Sequence, residues 1–119
     1  YKGAIHFQAA ACINDELEEI RSRNLPKTEV YTVIAELIDK YIHKNYRLYP
    51  GNYIAHDLLY NKVEFSDKYT TEEKVVFNQY IDGQLAKISI PDKDEAFLRE
   101  CIWTMYANPV TNHLKAING

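Results

Sequence analysis

Hydrophobic positions along the chain recur mostly every three or four residues, the spacing that places them on one face of a helix. The clearest run predicts a helix from Thr28 to about Tyr46, with Val30, Ile34, Leu37, Ile38, Tyr41 and Ile42 on one stripe and Thr28 as its cap. Before it, Ile13, Leu17 and Ile20 mark a shorter helix capped by Asn14 or Asp15 and ended by Asn24-Leu25-Pro26. After Pro50-Gly51, Asn52 is the expected cap of a helix over Tyr53 to Tyr60, with Ile54 and Leu58 on one face and Asp57 and Asn61 on the other. Lys62 to Tyr69 reads as a connector.

Thr70 and Glu73 form a capping box that starts a fourth helix, whose stripe is Phe77, Ile81, Leu85 and Ile88. Gly83 within it is expected to mark a close helix crossing. Ile90-Pro91 breaks this helix, and Asp92 or Asp94 caps a fifth with Phe97, Leu98, Cys101, Ile102 and Met105 inside. Asn108-Pro109 is expected to end or kink it, because proline disfavours helical geometry in the residue before it. Val110 to Ile117 then supplies a last turn or two.

Only the start departs from the helical period. Ile5 and Phe7 alternate with His6 and Gln8, which predicts a short strand over Gly3 to Gln8. A lone strand needs a partner, and within this chain only Val63 to Phe65 offers one. The fold class is therefore mainly α: four to five helices in a bundle-like packing with one short N-terminal strand. The start at Tyr1 rather than Met, running straight into that strand, suggests a piece of a longer protein. On that reading residues 1–13 are the end of an upstream domain and 14–119 a single helical domain.

Composition adds limits. The 119 residues suit one core, and a net charge of −3 with no basic block argues against nucleic acid as a partner. Cys12 and Cys101 lack metal-binding spacing and read as reduced thiols. His6, His43, His56 and His113 form no H-x-x-x-H pair, so no single helix supplies a zinc site. The carboxylates gather at helix starts, where capping explains them. No nucleophile elbow or phosphate-binding loop occurs. No catalytic, cofactor-binding or metal residue is expected.

Tyrosine is unusually frequent, with ten residues. Those around Pro50 read either as the rim of a loose core or as an amphipathic surface for a partner domain or membrane interface. The candidate surface is Tyr46, Tyr49, Tyr53, His56, Lys44 and Arg47, its cations suited to anionic headgroups.

The stretch Asn45-Tyr46-Arg47-Leu48-Tyr49-Pro50-Gly51-Asn52-Tyr53-Ile54-Ala55-His56-Asp57-Leu58-Leu59, with Met105-Tyr106-Ala107-Asn108-Pro109, resembles the C-terminal region of a bacterial glycerolipid acyltransferase-like family whose members also carry the hemolysin label. Gly3 to Phe7, continuing to Cys12-Ile13-Asn14, is similar to the late strand of that family's catalytic domain. The resemblance implies a non-catalytic helical tail that packs on an upstream catalytic domain of the same chain or on an anionic membrane surface. It also implies a cytoplasmic location, peripheral to the inner membrane face.

The family's catalytic H-x-x-x-x-D is not carried here: Ala11, Leu48, Asn61 and Asn118 stand where the aspartate should follow each histidine. Ala9-Ala10-Ala11-Cys12-Ile13 also stands where the family has Phe-Gly-x-Pro-Ile. The alternatives are an independent helical interaction module with a Tyr-rich surface, and a self-contained hydrolase whose acid and base meet only in the fold.

Overall fold

The computed structural model describes residues 5–118. They form five α-helices and no strand among the described residues: α1 (Asn14–Ser22), α2 (Lys27–Asn45), α3 (Pro50–Tyr60), α4 (Thr71–Ala86) and α5 (Glu95–Asn118). A single 3-10 turn, Ser66–Lys68, lies between α3 and α4. The mainly helical class expected from the periodicity is what forms.

The expected strand does not. Positions 3 and 4 lie outside the described residues, whereas Ile5 to Gln8 is irregular and exposed. The one partner expected within this chain, Val63 to Phe65, leads into the 3-10 turn instead of a ladder.

The chain divides into two compact units, one comprising 5–47 with 113–118 and the other Leu48–Asn112. In the first, α1 packs on α2. Ile20 and Ala116 are its buried apolar residues. The Tyr41 hydroxyl donates to Glu16 at 2.7 Å, tying the two helices and holding the Glu16 carboxyl below its ordinary value. His113 donates from Nδ1 to the His43 carbonyl at 2.9 Å, since a carbonyl can only accept. The Tyr46 ring lies 5.8 Å from His43 and 6.5 Å from His113.

In the second unit α3 and α4 pack together, and α5 contributes Leu98, Ile102, Trp103 and Tyr106 around a core of Ile54, Ala55, Phe77, Ile81, Leu85 and Ala107. Polar bonds fix these helices. Asn52 Nδ2 donates to the Tyr106 carbonyl at 2.9 Å, Arg99 meets Asp82 at 2.7 Å, and Lys93 donates to the Leu85 and Ile88 carbonyls at 3.0 and 3.1 Å. The lysine thus serves carbonyls at the end of α4, where a cation also complements the helix dipole.

The capping box of α4 forms as expected: Glu73 N–H donates to Thr70 Oγ1, and Thr70 N–H to Glu73 Oε1, each at 3.0 Å. Asp94 caps α5 by accepting from Phe97 N–H at 3.1 Å. Other termini differ from expectation. α1 begins at Asn14 after Ile13 and α2 at Lys27 after Pro26, neither with a side-chain cap, so Asn14, Asp15 and Thr28 lie within their helices. α3 begins at Pro50, whose fixed φ and missing N–H suit a first helical position. Asn52 sits a turn inside and reaches back, accepting from Tyr49 N–H at 2.9 Å.

One further expectation fails, and of the two outcomes expected at Pro109 the ending does not occur. A Cβ at Gly83 would meet nothing within 4 Å, so no helix crosses there. Helix α5 runs through Pro109 without ending. Of its expected inward face, Leu98 and Ile102 pack against the core, whereas Phe97, at 60% exposure, Cys101 and Met105 face solvent; Ala107 and Val110 are fully buried instead.

Candidate docking groove

An apolar groove of about 550 Å³ opens on the second unit. Helix α3 supplies Pro50, Gly51 and Ile54; α4 supplies Glu72, Glu73, Val76, Phe77 and Tyr80; α5 supplies Tyr106. Gly51 lies against the Phe77 ring, and a Cβ there would stand 3.4 Å from it, in ordinary van der Waals contact.

One wall is aromatic. Phe77 and Tyr106 meet edge to face at 5.6 Å and 88°, and Tyr80 and Tyr106 do so at 6.3 Å and 86°. The Tyr106 hydroxyl donates to that of Tyr80 at 3.2 Å; this bond, with burial, pushes the Tyr106 phenol up to about 12. Edge-to-face pairs of this kind stiffen a surface that still offers apolar area. Phe77 anchors the wall in the core, and Val76 stands beside it at 64% exposure.

At one end lie Glu72 and Glu73, both exposed. The lining contains no histidine, cysteine, serine or lysine; its polar side chains are Glu72, Glu73, Tyr80 and Tyr106. Among the described residues no three His, Cys, Asp or Glu side chains are placed to hold a metal ion. No described helix is long and apolar enough to cross a membrane.

No family model, curated protein or solved structure matches the chain.

The tyrosine-rich candidate surface divides between the units. Lys44, Tyr46 and Arg47 belong to the first; burial pushes the Tyr46 phenol up, while Lys44 and Arg47 are exposed. Tyr49, Tyr53 and His56 belong to the second. Tyr49 precedes α3, and Tyr53 packs its ring 5.2 Å from Phe65. His56 is only 7% exposed, with its ring tilted against Tyr60 at 4.7 Å and edge to face with Phe65 at 5.2 Å. None of the three lines the groove.

Beside His56, Asp57 is 3% exposed and acts as a latch. Its carboxylate accepts from the Phe65 N–H at 3.1 and 3.3 Å and from the Tyr69 hydroxyl at 2.8 Å. The same helix turn ends in a left-handed Asn61, φ 52°, letting Lys62 N–H donate to the Asp57 carbonyl at 2.9 Å. Burial first, then the Asp57 bond, raises the Tyr69 phenol to about 12. His56 is shifted down by desolvation, which outweighs the opposing charges of Glu64 and Asp57. These residues hold the connector on α3.

Sequence reasoning missed Gly51, Val76, Tyr80 and Tyr106 as a group. Val76 and Tyr80 flank the core stripe of α4 at helical spacing, a detectable signal; Tyr106 lies 26 positions after Tyr80, and only packing joins them.

Proposed function

We propose that this chain is a helical docking domain, without chemistry of its own, that holds an apolar protein segment in the groove of its second unit. The groove carries the reading. Its wall of Phe77, Tyr106 and Tyr80, with Gly51 against the Phe77 ring, leaves apolar area open beside a well-packed core. Each Leu-sized side chain entering such a site gains about 1.5–3 kcal/mol before the costs of association.

Two settings suit this role. In one, the segment belongs to an acyltransferase-like catalytic domain preceding these residues in the same polypeptide, which the resemblance of residues 45–59 and 105–109 supports. In the other, the domain meets separate proteins.

Panning a random peptide library on the immobilised chain tests the role. Selected peptides should bind the wild type and lose binding to Val76→Asp, a change at an exposed position that spares the core. Selection of no peptide, or of peptides indifferent to Val76→Asp, would defeat the reading.

A further inference from the structure

Resting on that docking reading, we infer that the groove's occupant is a cationic amphipathic helix. The inference joins the shape of the groove to the charge of its rim.

The lining comes entirely from helices, with no strand edge among the described residues to pair with a partner backbone. A segment bound in extended form would bring N–H and C=O groups to an apolar wall that cannot satisfy them. A helix brings its backbone already paired. Along α4 the groove runs from Glu72 to Tyr80, eight residues further on. At 1.5 Å per residue this is about 12 Å, or roughly two helical turns. Two turns present apolar anchors at i, i+3 or i+4, and i+7, the pattern by which helices seat in grooves.

Charge selects among such helices. The rim carries Glu72 and Glu73, and no cation lines the groove. Glu73 spends one oxygen on the Thr70 N–H, so part of its charge is already engaged in the cap. Glu72 is left as the main rim anion. A flanking Lys or Arg meets attraction there, whereas a flanking Glu or Asp meets repulsion at the edge of a low-dielectric surface.

The test uses two synthetic helical peptides with the same Leu anchors, one flanked by Lys and the other by Glu. By calorimetry at low salt the Lys peptide should bind on the order of tenfold more tightly, with the advantage shrinking as salt rises. Glu72→Lys should invert the preference, its fold checked by circular dichroism. Val76→Asp should remove binding of both peptides.

Equal affinity for the two peptides, or a preference untouched by Glu72→Lys, would overturn the cationic partner. Groove-dependent binding without a gain of peptide helicity would overturn the helical one. Either result leaves the docking role standing, because the panned peptides would still depend on Val76. A dimer of the chain dissolved by Val76→Asp would instead assign the groove to a second copy and overturn the inference.

Discussion

Helix α2 has nineteen residues and α4 sixteen, and the longer one shows the clearer separation of apolar and polar faces. Yet α4 buries Phe77, Ile81 and Leu85, whereas α2 buries none of its residues. On α2 the stripe residues Ile38 and Ile42 remain 43% and 51% exposed. Within its own unit α4 meets α3 and side chains of α5, so its face is covered from two directions. Helix α2 packs on the short α1, whose single buried residue is Ile20. An amphipathic pattern reports that a face is suited to burial; neighbours decide whether it is buried.

The sharpest way to test this contrast is to truncate one stripe residue in each unit. Phe77→Ala should cost about 3–5 kcal/mol in urea unfolding, because it removes a buried ring that packs on the core of the second unit. Ile38→Ala should cost less than about 1 kcal/mol, since a half-exposed side chain has little burial to lose. Comparable losses would mean that the two units are equally packed.

Next in size is the Asp57 latch. Asp57→Ala removes an acceptor from the Phe65 N–H and the Tyr69 hydroxyl, and should cost about 2 kcal/mol. The same change should speed amide hydrogen exchange at Phe65 while leaving α2 unaffected. The first unit has a lighter counterpart in Arg23, whose bonds to Glu19 at 2.9 and 2.6 Å lie on the surface. Arg23→Ala should change stability by less than about 0.5 kcal/mol. Thr70→Ala, which breaks the α4 capping box, should fall between them at about 1 kcal/mol.

The pH dependence should be gentler and should centre on the second unit. His56 is lowered from 6.5 in the folded chain, so below that value the unfolded chain binds its proton first. Stability therefore declines as pH falls from 6.5 towards the lowered folded value, and His56→Phe should flatten that decline. Tyr69 is raised from 10.0 to about 12, so its contribution is complete below 10 and is lost as pH climbs through 12. Urea midpoints of wild type and the His56→Phe and Tyr69→Phe variants across this range check both limbs.

The helices were legible because their causes are local. The Thr70–Glu73 box, the Phe77-Ile81-Leu85 spacing and the stop before Pro50 each act within a few residues. The failed caps share a reason too: a candidate cap residue is only a cap if the chain turns there, and at α1 and α2 it turns one or more residues earlier. The helix does not end at Pro109 because proline's cost opposes a helix without forbidding one, and Ala107 and Val110 on either side are fully buried in α5.

What the sequence determined by itself was the helical period, the α4 start and the absence of a recognisable catalytic motif. Tertiary structure decided which stripes became core, that His56 and Asp57 went inside, and that Gly51, Val76, Tyr80 and Tyr106 share one groove. Periodicity encodes the face of a helix. Burial, pairing and a groove depend on residues dozens of positions apart, joined only when the helices pack.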